Sequence, residues 1–155
     1  MGLINVRVVG MSRVERMLIA LNALQTMARY TLLRQLGNLI QKQHTRRILS
    51  EKTAPSGATW APLKPSTVQR KGNANILVES GKMARAWQMI IGGDYVRMWN
   101  TARSSRGGKL YLFFHQYGTS KMVARPPMGF SAANEQEIHT VVNAWVARRI
   151  GVVVT

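Results

Sequence analysis

Apolar residues recur three and four positions apart over the N-terminal third of the chain. Val14, Met17, Leu18, Leu21 and Leu24 set the spacing, and Leu32, Leu33, Leu36, Leu39 and Ile40 resume it as far as Ile48 and Leu49. One apolar stripe at this period predicts a long helix, or two in series. Ser12 with Glu15 three residues on has the capping-box spacing that opens a helix. Gly37 lies inside the pattern at a cost of ~1 kcal/mol relative to alanine. Ahead of it, Leu3 to Val9 is β-branched and ends at Gly10, so it reads as a short strand. Near the other end Ile138, Val141, Val142 and Trp145 form the stripe of a helix that begins around residues 131–134. Glu135 and Glu137 stand at its start, Arg148 and Arg149 at its end, an order that complements the helix dipole, and Gly151 stops it.

The middle of the chain has other patterns. Residues 53–75 hold Pro55, Gly57, Pro62, Pro65 and Gly72, and prolines bar a regular helix across that length. An extended loop is expected there, and Trp60 and Leu63 imply that it is packed onto something. Ala86 to Ile91, the Gly92-Gly93-Asp94 turn and Tyr95 to Thr101 predict a hairpin. Leu110 to Gln116 reads as a third strand, reached through a polar, mobile tip at residues 102–109. The order of elements predicts an α+β fold in one domain spanning 1–155, with the N-terminal and C-terminal helices packed on a small antiparallel sheet.

Composition narrows what such a domain does. The 155 residues suffice for one core, and the longest aliphatic-rich stretch, Met17 to Leu24, is far short of the ~20 residues of a membrane helix. No secretory signal pattern opens the chain. Cysteine is absent, which excludes disulfides, thiolate metal sites and cysteine nucleophiles. Lys and Arg number 22 against 6 Asp and Glu, a net charge of +16, so the expected partners are polyanions or acidic surfaces. The few carboxylates leave little material for metal sites or acid/base pairs. His44, His115 and His139 lack the three- or four-residue spacing that places two ligands on one helical face. Gly107-Gly108-Lys109 is followed by Leu110 and reads as a turn rather than a phosphate loop. No catalysis, no metal and no cofactor is therefore expected.

From Tyr95 to Asn134 there is no acidic residue, whereas Arg97, Arg103, Arg106, Lys109, Lys121 and Arg125 all fall there. Apart from Arg125, these form a candidate anion- or partner-facing surface. A second basic group, Arg34, Lys42, Arg46, Arg47 and Lys52, follows the long helix, where Arg46 and Arg47 are expected to rim it. Trp60, Trp87, Trp99 and Tyr117 are expected to be core and loop anchors rather than base-stacking platforms.

Three ordered stretches resemble the phage virion morphogenesis family, the tail-completion proteins of Mu-like and P2-like tailed phages. Residues 55–71 are similar to its P-x-G-x-x-W-x-x-L-x-x-x-T-x-x-x-K pattern through Pro55, Gly57, Trp60, Leu63, Thr67 and Lys71. Ile76-Leu77 with Ser80-Gly81-Lys82-Met83 resembles its L-x-x-T/S-G-x-L element. His115-Gln116-Tyr117-Gly118 followed by Ala124-Arg125-Pro126-Pro127-Met128-Gly129 resembles its H-Q-x-G and P-A-R-P-F-L-G pair. Val123, Pro127 and Met83 depart from the pattern. The resemblance covers residues 3–150.

The resemblance implies a non-catalytic component of the virion neck, made in the host cytoplasm, that assembles as a homo-oligomeric, hexameric ring. Its implied partners are head connector or portal-adaptor proteins, tail terminator or tail tube proteins, and genomic DNA passing through the lumen. No membrane is involved. Pro55, Gly57, Trp60, Leu63, Thr67, Lys71, His115, Gln116, Gly118, Arg125 and Pro126 are the candidate subunit or partner interface. Trp60 and Leu63 fit apolar anchors of a subunit contact, or Trp60 plugs its own core. Arg125, held extended before Pro126, is expected to meet a carboxylate, either Glu135 or Glu137 or one on a neighbouring subunit. A basic, non-specific DNA-binding module is the alternative that the charge alone suits, and a hydrolase acting during assembly is a remoter one.

Overall fold

The computed structural model describes residues 26–104 and 108–150, with side chains from residue 28 to residue 149. The predicted strand at residues 3–9, the Ser12 cap and the Val14, Met17, Leu18, Leu21 and Leu24 part of the stripe lie outside the described residues, as do Arg106 and Gly151. Helix α1 (Thr26–Arg46) continues as a π-helical turn, Arg47–Glu51, which ends where Lys52 adopts a left-handed φ of 56°. After it come α2 (Pro65–Lys71), α3 (Lys82–Arg85), β1 (Trp87–Ile91), β2 (Val96–Asn100), α4 (Tyr111–Tyr117) and α5 (Ala132–Ile150). The two strands pair as one antiparallel hairpin, so the class is α+β as expected. No helix among the described residues is long and apolar enough to cross a membrane.

The chain divides into two compact units, and α1 and the hairpin each run through both. The described part of unit one comprises residues 26–40, Met89–Met98 and residues 132–150. Its core joins members of both expected stripes, Leu32 and Leu36 of α1 with Ile138, Val141, Val142 and Trp145 of α5, to Ala28 and Val146, which the spacing did not mark; Ala28, Leu32, Val142 and Trp145 are buried. Gly37 has a reason to interrupt α1. A Cβ there would stand 2.7 Å from Met89 Sδ and 3.2 Å from Val96 Cγ1, so glycine lets the hairpin approach the helix backbone.

Unit two comprises Gln41–Gln88 and Trp99–Ser131. Its buried apolar residues include Ile48, Trp60, Met83, Trp87, Leu112 and Met128. His44 is buried with them, its ring 5.2 Å from that of Trp87 and 5.9 Å from that of Phe130.

Several expectations need correction. Residues 110–116 do not make a third strand: Tyr111–Tyr117 is a helix, with Leu112 buried and the Phe113 and Tyr117 rings, tilted to each other at 5.1 Å, on its exposed side. Such a short apolar run fits a strand or a buried helix equally by composition, and here the four-residue pairing prevails. His115 therefore lies within α4, not at a strand end. The 53–75 loop holds a helix after all, because Pro65 takes the first helical position, where a missing N–H costs nothing. The described flanks of the 102–109 segment, whose residues 105–107 lie outside the described residues, pair with each other. Arg103 bridges to Leu110, and the Ser104 N–H donates to Lys109 O at 2.9 Å. Trp60 and Trp87 are buried as expected, but Trp99 is 38% and Tyr117 60% exposed, so neither anchors a core.

Candidate functional site

All three family-like stretches lie in unit two, where the first and third are joined by Arg125, which bonds backbone carbonyls of the first. The chain turns sharply after Lys52. Thr53 bridges to Thr59, the Ala54 N–H donates to Ala58 O at 2.8 Å, and Gly57 takes a φ of 87° that favours glycine. This turn delivers Trp60, whose N–H donates to Lys52 O at 2.9 Å and whose indole is 4% exposed. Trp60 thus plugs its own core; an anchor reaching out to a neighbouring subunit would have to leave that position. Leu63 is half-buried beyond it.

The 115–129 segment is the centre of the frame. The Gln116 amide grips Met128 by both backbone groups, and Arg125 N–H donates to His115 O at 2.7 Å. Gly118 has φ 72° and ψ −171°, a combination almost restricted to glycine. A Cβ on it would lie 2.8 Å from Met122 O and 2.9 Å from Ala124 N. Gly129, at φ 128°, is crossed by Pro55, whose Cγ would stand 2.6 Å from a Cβ there. Pro126 is half-buried, between Arg125 and the buried Pro127.

Two arginines lock the frame. Arg125 is buried, and its guanidinium donates to Ala61 O and Pro62 O, each at 2.8 Å. Within unit two the partners of this guanidinium are two backbone carbonyls of the proline-rich segment rather than a carboxylate. Charged donors to neutral carbonyls satisfy the buried cation without needing one of the chain's few acids. Arg47 does not rim its helix either. It is 1% exposed and donates to Gly129 O at 2.5 Å and Pro127 O at 3.4 Å. Burial lowers the Arg47 pKa, with Glu51 opposing the shift. Arg46 alone fits the rim expectation, being exposed and paired with Glu51 at 2.7 Å. Sequence reasoning missed Arg47 because adjacent arginines near a helix end look alike until the turn of the helix buries one of them.

Beside this frame lies a cleft of about 490 Å³ within unit two. It gathers Leu63, Thr67, Lys71, His115, Lys121 and Arg125 from the residues singled out in the sequence. It adds Lys64, Arg70, Glu79 and Lys82, which the sequence did not mark. His115 has its Nδ1 buried with no hydrogen-bond partner among the described residues. Burial first, then the charges of Arg125 and Lys71, push its pKa down to about 4, so the ring is neutral at pH 7. Burial also lowers the Lys71 pKa, against the opposing pull of Glu79, and the Lys71 ammonium donates to Asn75 O.

The other basic candidates are not gathered at the cleft. Arg97 belongs to unit one and sits 5.5 Å over the Tyr95 ring. Arg103 and Lys109 are exposed, and Arg103 donates to Gly108 O at 2.8 Å. Among the described residues no group of three or more His, Asp or Glu side chains could hold a metal ion.

In comparison with known families, the model of the phage virion morphogenesis family matches residues 9–147. Neither the curated proteins nor the solved structures contain a match.

Proposed function

We propose, from the premise that the chain belongs to the phage virion morphogenesis family, that it is a structural protein of the phage neck. Family membership gives it a structural or assembly role in a phage virion. The finer reading is a homo-oligomeric ring, hexameric by resemblance, that joins the head connector to the tail and acts without catalysis. The observation that supports it is how the motif residues are used. Gln116, Arg125 and Arg47 bond backbone carbonyls and amides of neighbouring segments, and the glycines and prolines fix loop shape. This arrangement makes a rigid loop frame, which suits a protein whose work is to present a fixed surface to its neighbours.

The rival reading, a basic module binding DNA non-specifically, draws on the net charge of +16. It gives no role to the loop frame. A phage carrying a deletion of this gene separates the two. Electron microscopy of the lysate should show DNA-filled heads and finished tails that are not joined, with joining restored by the protein in trans. Joined particles of normal appearance in the deletion lysate would overturn the neck assignment.

A further inference from the structure

The cleft carries more charge than the loop frame uses. Arg125 is committed to carbonyls, and Lys71 lies close enough to Glu79 to feel its charge. Four cations remain: Lys64 just before α2, Arg70 near its end, Lys82 at the start of α3 and Lys121 in the Thr119–Met122 turn. All four are exposed, and none of their charged groups makes a hydrogen bond or ion pair among the described residues. One carboxylate, Glu79, faces them. Like charges gathered in a concavity repel one another, and charge kept only for solubility would be spread over convex surface.

The mixed lining also offers the apolar side chains of Leu63, Leu77, Met83 and Met122. Leu77 holds a φ of 58°, a left-handed conformation that a leucine adopts at a cost. Strain of this kind collects where a loop is shaped for a ligand.

We infer that this cleft is the docking site for an acidic, partly apolar segment of a different protein, one whose carboxylates meet Lys64, Arg70, Lys82 and Lys121 while an apolar side chain reaches the lining. The inference names a partner chemistry for the assembly role proposed above and rests on that reading. The volume, about 490 Å³, is of the size that takes side chains or a small ligand. Duplex DNA is a stiff convex rod with phosphates outermost and has no apolar group to lower into the cleft. A second copy of this chain is a poor donor, since it has 6 acids against 22 cations and no acidic run.

The test uses the full-length protein and fluorescence anisotropy with a labelled peptide of repeated Glu-Asp-Leu triplets. A peptide with serine in place of leucine, an oligothymidylate strand and a DNA duplex serve as comparison probes. Lys64→Glu/Lys82→Glu should weaken binding of the leucine peptide by about tenfold or more. Arg34→Glu/Lys42→Glu, the same charge change at exposed positions outside the cleft, should change it by less than about twofold. The serine peptide should bind more weakly than the leucine peptide. Absence of peptide binding by the wild type, equal losses in both variants, or a Lys64→Glu/Lys82→Glu effect confined to the nucleic acids would overturn the inference. Native mass of the same variant keeps the two readings apart: the ring is judged by the mass, the cleft by the anisotropy.

Discussion

Gln116 binds Met128 at both ends of its side-chain amide: Nε2 donates to Met128 O at 3.2 Å, and Met128 N–H donates to Oε1 at 3.1 Å. The amide thus replaces a strand partner for an irregular segment. Gln116→Glu keeps the shape but sets a carboxylate oxygen against the Met128 carbonyl, leaving that carbonyl without its donor. Urea denaturation should show a loss of about 1–3 kcal/mol, most of it retained in Gln116→Leu.

Arg125 and Trp60 are expected to act on folding before assembly. Arg125→Ala removes two charge-assisted bonds and leaves two carbonyls of the proline-rich segment without that donor, a loss of about 2–4 kcal/mol. Arg125→Lys should recover only part of it, because one ammonium cannot reproduce the planar fork. Trp60→Ala empties a buried site and should cost about 3–5 kcal/mol. Circular dichroism melts that matched the wild type in both Arg125→Ala and Trp60→Ala would contradict the burial described above.

Glycine substitutions should separate sterics from strain. Gly118→Ala meets backbone atoms at 2.8 and 2.9 Å that no side-chain rotation relieves. At Gly57, φ 87°, nothing lies within 4 Å of the added methyl, so alanine meets only the conformational cost of about 1–2 kcal/mol. Thermal melts should rank Gly118→Ala well below Gly57→Ala.

His115 predicts an acid-sensitive fold. Its pKa falls from 6.5 unfolded to about 4 folded, so the unfolded chain binds the extra proton in that interval. Its contribution is fully present above pH 6.5 and is lost as the pH falls toward 4, by at most about 3 kcal/mol. Thermal unfolding at pH 7 and pH 4.5 should show a larger drop for the wild type than for His115→Gln. Equal drops would mean that the ring is not held neutral.

The helices α1 and α5 and the hairpin were legible because their signals are local: a 3.6-residue stripe, a Gly-Gly turn, acids before bases. Helix α4 was not, since Leu110 to Phe114 is an unbroken apolar run without period, and its one helical clue is the Phe113–Tyr117 spacing. Helix α2 was hidden by Pro65, which breaks helices everywhere except where it stands. In the site, family resemblance picked out Trp60, Gln116, Gly118 and Arg125; Trp60 filling its own core was one of two open readings, whereas the backbone partners of Gln116 and Arg125 were not foreseen. The carbonyls that Arg125 binds lie more than 60 residues away in sequence. Backbone carbonyls also leave no mark on residue identity, so the fork was sought beside a carboxylate. Lys64 and Lys82 went unmarked for the same reason, because a lone lysine signals nothing until the fold sets others beside it.

The ring is most directly tested by native mass spectrometry of the purified, nuclease-treated protein at micromolar concentration. The proposed neck role predicts one dominant closed oligomer, a hexamer, whose mass does not change when DNA is added. A monomer at every concentration, forming larger species only with DNA and releasing them as salt rises, would contradict it.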